Sequence, residues 1–289
     1  MRVLPFFKPR KGWHVAGTNL EPDSGGSYVL PVASADTLGG VKVGETMKIN
    51  DGLLNYVPGQ ILPLVNLGTE YTAELKQDIS SGAFKKAVVG GYLTINGHVY
   101  DFAHPDYWLN TGDAQCTTHH MLVVPRGCLV SGTMNSTHIT TGAYVGSDFY
   151  TGNNSNTALA DIKAIIKADF GEANILTHRE LLANTVDASG NASNWAWYDS
   201  DIDLMNEQMV YGGACGSKPA ADSVNHNMGI DKSQLKLFAE RPDLITNRAN
   251  WWLRSVVSAS RFAFVNSYGD ANLDSAGDSL GIRPAFAIC

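Results

Sequence analysis

The pattern of apolar and polar positions divides the chain into three zones. In residues 1–60, short apolar stretches alternate with glycine turns: Leu38-Gly39-Gly40-Val41-Lys42-Val43-Gly44 leads to Met47-Lys48-Ile49-Asn50-Asp51-Gly52-Leu53-Leu54. An Asn-Asp-Gly step between apolar residues predicts a β-hairpin, because those residues tolerate the positive φ of a tight turn. So small a segment encloses little core, which points to association with copies of itself; a leader carrying one hairpin is the alternative. In residues 61–91, Leu75, Ile79, Phe84 and Val88 stand among charged residues. They predict a helix interrupted at Ser80-Ser81-Gly82, within a connector that Gly90-Gly91 closes.

Residues 92–289 have the size of one domain. Asn96-Gly97 between Tyr92–Ile95 and His98–Tyr100 is a strong hairpin pattern, and Met121–Pro125 reads as a strand ended by proline. Ala158, Leu159, Ile162, Ile165, Ile166 and Phe170 follow helical spacing, with Gly171 as the stop. Thr177 and Glu180, three apart before Leu181-Leu182, form a capping-box pattern and predict a helix from about His178. Ile202, Met205 and Met209 predict a third, short helical segment. Beyond Trp251-Trp252-Leu253 the pattern returns to strand and turn, with a turn at Ser267–Asp270 and a buried strand over Ile282, Ala285, Phe286, Ala287 and Ile288. Strands around a few helices define an α+β domain.

Composition narrows the function classes. Apolar residues make up 44% of the 289 positions and charged residues 17%, which excludes global disorder. A net charge of -7 disfavours a broad nucleic-acid surface. No run of about 18 apolar residues is present, so no membrane insertion is expected. The apolar part of Met1–Lys11 is too short for a signal peptide, and Cys116, Cys128, Cys215 and Cys289 are too widely spaced for a compact disulfide framework. The expectation is a chain made in the cytoplasm with reduced thiols.

Candidate chemistry is sparse. Phosphate-loop, dinucleotide-binding, nucleophile-elbow and zinc-protease motifs are missing from the sequence. Cys116, His119, His120 and Cys128 match no usual zinc spacing. Asp199, Asp201 and Asp203 superficially resemble a calcium loop, but Leu204 stands where glycine is needed and Val210 where glutamate is needed. A looser carboxylate site there competes with local caps and turns. His178, Arg179 and Glu180, consecutive at a helix start, would point in different directions, with Glu180 serving as a cap. No cofactor is expected. The informative stretch is Asn250–Cys289. Trp251 and Trp252 are expected in the core, and Arg254 and Arg283 are expected to hold loops in place through their several donors. Between them lie Asn266, Tyr268, Asp270, Asn272 and Asp274, polar and aromatic in the manner of an adaptable recognition surface, with a solvated loop pair as the alternative.

WWLRSVV followed by FAFVNSYGDANLDSAGDSLGIRPAF resembles the closing motif of C-type-lectin-like domains in phage and gut-bacterial proteins. HITTGAYVGSDFY, ILTHRELL, WAWYDSDIDLMNEQMVYG and MGIDKSQLKLFAERPDLI resemble the same group, over roughly residues 92–289. VLPVASADTLGGVKVGETMKINDGLL resembles repeats of phage capsid head-fiber and tail-fiber proteins. The resemblance implies a non-catalytic virion surface fiber protein, a capsid head fiber in preference to a tail-tip receptor-binding protein. Residues 1–60 would then attach to capsid or another virion protein and form a homotrimer, 61–91 would connect, and 92–289 would be a lectin-like adhesion domain. Its variable loop surface carries over to Asn266–Asp278, facing a host-surface glycan or protein. The fold is shared with formylglycine-generating enzymes, but Cys215 and Cys289 lack the sequence context of their cysteine pair. The Glu-Pro-Asn and Gln-Pro-Asp tripeptides of calcium-dependent sugar binding are also missing from the sequence.

Overall fold

The computed structural model describes residues 47–50, 53–56, 61–217 and 233–289. The chain divides into two compact units, Met1–Pro58 and Gly59–Cys289. In the first, strands β1 (Met47–Asn50) and β2 (Leu53–Tyr56) pair antiparallel with Asn50 opposite Leu53, the register a two-residue loop produces. The Leu38–Gly44 segment lies outside the described residues.

The second unit is α+β. Its elements run β3 (Val65–Asn66), α1 (Ala73–Ser80), β4 (Gly91–Ile95), β5 (His98–Pro105), β6 (Met121–Pro125), β7 (Val130–Gly132), α2 (Asp148–Thr151), α3 (Ala158–Phe170), β8 (His178–Val186), β9 (Ala192–Ser200), β10 (Ile202–Leu204), α4 (Glu207–Tyr211), α5 (Lys236–Glu240), β11 (Trp251–Ser258), β12 (Arg261–Val265), β13 (Ala271–Ser275), β14 (Leu280–Ile282) and β15 (Pro284–Ile288). The strands form a six-stranded sheet in the order β10-β15-β6-β5-β4-β3, a five-stranded sheet β13-β12-β11-β14-β7, and a separate ribbon β8-β9.

Alternation along the central strands builds two cores. Met121 and Val123 of β6, Phe286 and Ile288 of β15, Trp252 of β11 and Phe262 and Phe264 of β12 enter one apolar cluster. Their neighbours Leu122, Val124, Ala285, Ala287, Trp251, Leu253, Ala263 and Val265 enter another. Successive side chains of a strand point to opposite faces, so a strand buried on both faces reads as an unbroken apolar run. Helix α3 lays Ala158, Leu159, Ile162, Ile166 and Phe170 on the first core, where the Phe170 ring meets Tyr100 at 4.9 Å and Phe286 at 5.2 Å. Gly171 ends it at φ 81°. The β4–β5 turn has Asn96 at φ 49° and Gly97 at φ 84°, as an Asn-Gly hairpin requires.

Residues 61–91 pack into this unit. β3 pairs with β4, and α1, capped by Thr72, buries Leu75 and Ile79 in the first core. The helix stops at Ser80. Beyond it the Asp78 carboxylate accepts from the backbone N–H groups of Lys85, Lys86 and Ala87 at 3.0, 2.8 and 2.9 Å, folding Phe84 and Val88 into a loop.

Two expected helices are corrected. Residues from His178 form strand β8, not a capped helix, and pair with β9 from His178 opposite Ser200 to Val186 opposite Ala192. The turn between them is fastened by Asp187, whose carboxylate accepts from Ser189 and Asn191 N–H. Long-range pairing with the aromatic stretch Trp195–Tyr198 overrides the local Thr-x-x-Glu pattern. Of the Ile202–Met209 segment, Ile202 lies in β10. Helix begins only at Glu207, after Asn206 caps the Met209 N–H at 2.8 Å.

Candidate functional site

The β12–β13 hairpin carries the segment singled out from the sequence. Asn266 makes its turn: its Oδ1 accepts from Tyr268 N–H at 2.9 Å and Asp270 N–H at 3.0 Å, and its Nδ2 donates to Asp270 Oδ2 at 3.3 Å. Gly269, at φ 95°, supplies the left-handed position. Tyr268 is the most exposed large hydrophobic side chain among the described residues, at 85%. Three groups hold the turn from outside it. Thr246 Oγ1 donates to the Ser267 carbonyl at 2.7 Å, Ser267 N–H donates to Asn250 Oδ1 at 2.9 Å, and Tyr211 Oη donates to the Gly269 carbonyl at 3.0 Å.

Asn266, Tyr268 and Asp270 thus share one turn. Asn272 and Asp274 lie on the edge strand β13, opposite Phe264 and Phe262. At about 3.3 Å per residue, Asp274 stands about 13 Å from Asp270 along the strand. Burial, with the hydrogen bond and like charge of Asp278, raises the Asp274 pKa against the opposing pull of the Ser275 N–H and Arg261. Asp274 is therefore engaged with Asp278 at the far end of the hairpin.

Beneath the hairpin, Trp251 and Trp252 are fully buried. Trp252 Nε1 donates to the Gly132 carbonyl at 3.0 Å. Arg283 is buried between the Trp251 and Phe238 rings, and donates to the carbonyls of Pro125, Leu244 and Ile245 at 2.6, 2.9 and 3.2 Å. Burial lowers its pKa to about 10. Arg254 reaches elsewhere: it donates to the Leu204 carbonyl at 3.1 Å and to the carboxylate of Glu180.

Glu180 is the largest departure from the sequence reading. As a strand residue it shares a face with His178, since alternate positions of a strand point the same way. His178 Nε2 lies 2.9 Å from Glu180 Oε2, and the His178 ring stacks on Trp108 at 3.7 Å. Nearby, buried Asp203 accepts from Tyr144 Oη at 2.8 Å and from Ser200 Oγ. The two carboxyls are driven in opposite directions. Burial raises both, but at Glu180 the Arg254 charge and the His178 hydrogen bond prevail and its pKa falls, whereas at Asp203 burial prevails and its pKa rises. Glu180, Arg254, His178, Asp203 and Ser200 are all buried, so the network fastens β8, β10 and β11 together and offers no solvent-facing reactive atom.

The other candidates disperse. Asp199 pairs with Arg179, Asp201 with Lys163 and Lys167, and Asp203 lies in the core. Cys116 Sγ contacts the Thr118 carbonyl, His119 pairs with Asp106, His120 Nε2 accepts from Trp108 N–H, and Cys128 Sγ accepts from Asn247. No group of three or more His, Cys, Asp or Glu side chains among the described residues is placed to hold a metal ion. All four cysteines are free thiols. No helix among the described residues is long and apolar enough to cross a membrane.

Sequence reasoning missed the loop Thr246–Asn250, which abuts the Tyr268 turn. Its only local mark is a polar run, Thr-Asn-Arg-Ala-Asn, immediately before Trp251. Residues 200–289, which include both this loop and the hairpin, match the model of a domain of unknown function, DUF6273. No curated protein and no solved structure matches the chain.

Proposed function

We propose that the chain is a non-catalytic virion surface fiber protein, a capsid head fiber, whose second unit is a lectin-like adhesion domain gripping a host-surface ligand through the Tyr268 turn. The observation that carries the binding role is the presentation of Tyr268. A large aromatic ring is displayed at 85% exposure on a turn braced by Thr246, Asn250 and Tyr211. Exposing a ring in this way forgoes the stabilisation of burying it, about 1.5–3 kcal/mol for a large apolar side chain. A rigid ring with a hydroxyl loses little entropy on contact and suits both sugar stacking and a protein partner. The virion assignment draws its support from the resemblance of the closing segment to phage lectin-like domains and of Val29–Leu54 to fiber repeats. Trimerisation through residues 1–60 would multiply a weak site by avidity.

The test is binding of fluorescently labelled full-length protein to a panel of bacterial hosts. Tyr268→Ala should abolish most of the binding while the melting temperature stays within about 1 °C, as for a surface change away from packing. A variant that binds cells undiminished overturns the adhesive reading, and one that unfolds makes Tyr268 a structural residue. Absence of the chain from purified virions would overturn the fiber assignment, and a stable monomer in light scattering the trimer.

A further inference from the structure

Arg248 sits on the crest of the loop that braces the Tyr268 turn, and its backbone is in the left-handed region at φ 62°. For a residue that is neither glycine nor asparagine this conformation costs about 1–3 kcal/mol and persists only where its surroundings impose it. The imposing contacts are visible. Asn247 Oδ1 accepts from Ala249 N–H at 3.0 Å, and Asn247 Nδ2 is tied to Cys128 Sγ at 3.1 Å. The Asn250 carbonyl accepts from Gly281 N–H at 2.8 Å, while its side chain holds Ser267. A β-carbon placed on Gly269 would lie 3.4 Å from Thr246 Cβ, so the two crests abut.

Arg126, Arg179, Arg241 and Arg254 each pair with a carboxylate, Arg283 donates to carbonyls, and exposed Arg261, at the start of β12, acts through its charge on Asp274 at the far end of the hairpin. Exposed Arg248 makes no ion pair or hydrogen bond among the described residues. Thr246 and Asn250, on either side of it in sequence, hydrogen-bond Ser267 of the turn on which Tyr268 and Asp270 stand exposed.

We propose that these two crests bind a sugar that carries a carboxylate, with Arg248 taking the carboxylate and the Tyr268 ring lying against the C–H face of the pyranose. The inference rests on the adhesive reading of the same turn and names its ligand class. The planar fork of a guanidinium matches a carboxylate through two parallel hydrogen bonds. An aromatic ring matches the apolar face of a sugar, and Asp270 can accept from ring hydroxyls. With a net charge of -7 the chain has no general attraction for anions, so an acidic ligand needs a locally placed cation, which Arg248 supplies. A neutral sugar would leave both the strain and the charge at Arg248 without a use.

The experiment uses the full chain and an immobilised set of glucuronate-, galacturonate- and sialate-terminated glycans, each beside its methyl-esterified twin, together with sugar phosphates. At least one acid should bind about tenfold or more tightly than its ester, a gap of about 1.4 kcal/mol. Arg248→Gln should erase the gap and Arg248→Lys should keep part of it. Arg248→Gly should erase it too, while leaving the melting temperature equal or higher because glycine relieves the strained φ. Equal binding of acids and esters, no binding of any acid, or phosphates binding better than carboxylates overturns the inference. So does Arg248→Gln leaving the acid preference intact. If Tyr268→Ala loses cell binding while no acid is preferred, the adhesive reading stands and only the ligand class falls. If Tyr268→Ala binds cells normally, it is the adhesive reading that fails.

Discussion

Replacing Glu180 by glutamine tests whether residues 178–186 form a buried strand. The carboxylate is 1% exposed, meets Arg254 Nη2, and lies 2.9 Å from His178 Nε2. Glutamine keeps the shape and removes the charge, which leaves the Arg254 guanidinium buried without its counter-ion. Breaking a buried pair from one side costs about 3–5 kcal/mol. Arg254 cannot simply turn to water, because the Leu204 carbonyl holds it at 3.1 Å. For a folded unit of this size each kcal/mol moves Tm by about 2–4 °C, so Glu180→Gln should melt about 6–20 °C lower at neutral pH by calorimetry. The pH dependence supplies an independent readout. The pKa of Glu180 is held below its ordinary value of 4.5 despite burial. A depressed carboxyl contributes stability that is present above its unfolded value and is lost as pH falls through the lower folded value. The gap between wild type and variant should therefore be full at pH 7, begin to narrow below about pH 4.5 and vanish only below the lower folded value. Adding Arg254→Met removes the orphaned cation, so the double variant should be more stable than the sum of the single losses. A helix cap at the surface would cost only about 1 kcal/mol. A loss that small, or a gap that persists in acid, refutes the buried strand.

Asp203→Asn should behave oppositely. Burial raises this carboxyl, so its contribution is present below the ordinary 3.8 and is lost as pH rises through the folded value. The variant should match or exceed wild-type Tm near pH 8 and lose that advantage in acid, and a marked drop at pH 8 would count against the assignment. Trp252→Ala should cost about 3–5 kcal/mol in urea unfolding, since it empties a fully buried site, loses the bond to Gly132 and removes the ring 6.1 Å from Phe264. Trp252→Phe should cost clearly less, and equal losses would mean that packing at this position is not what matters.

The parts of the fold legible in the sequence are those decided locally. Asn96-Gly97 names its own turn, Gly171 stops α3, and the unbroken apolar runs of β6 and β15 announce strands buried on both faces. Residues 178–186 were not legible, because the capping pattern at Thr177 and Glu180 is local whereas the partner strand begins only at Ala192. The polarity of Glu180 added to the error: hydropathy places a glutamate outside, and only Arg254, 74 residues away, brings it in. The hairpin residues could be picked out by composition. The Thr246–Asn250 loop could not, because its part depends on hydrogen bonds to a turn about twenty residues further on.

The buried arginine and the exposed tyrosine belong to one line of contacts. Arg283 fixes the carbonyls of Leu244 and Ile245, the two residues immediately before Thr246. Thr246 then fixes the Ser267 carbonyl, and Ser267 precedes Tyr268. A fully buried guanidinium is costly, and here burial lowers its pKa to about 10. Apolar packing alone could fill the space between Trp251 and Phe238, but only a multiple donor can hold three backbone carbonyls from two separate segments of chain. The cost is therefore spent on the position of a loop rather than on the volume of the core. The adhesive role proposed for the turn would require this, because loops lack the regular hydrogen bonding that holds strands in place, and a binding residue on a loose turn loses ordering entropy each time it binds. Arg254 does the same for β10 and β8, away from the hairpin. The two arginines flanking the Tyr268 segment in sequence thus brace different parts of the domain, and of the two it is Arg283 that fixes the residues leading into Thr246 and so to the Tyr268 turn.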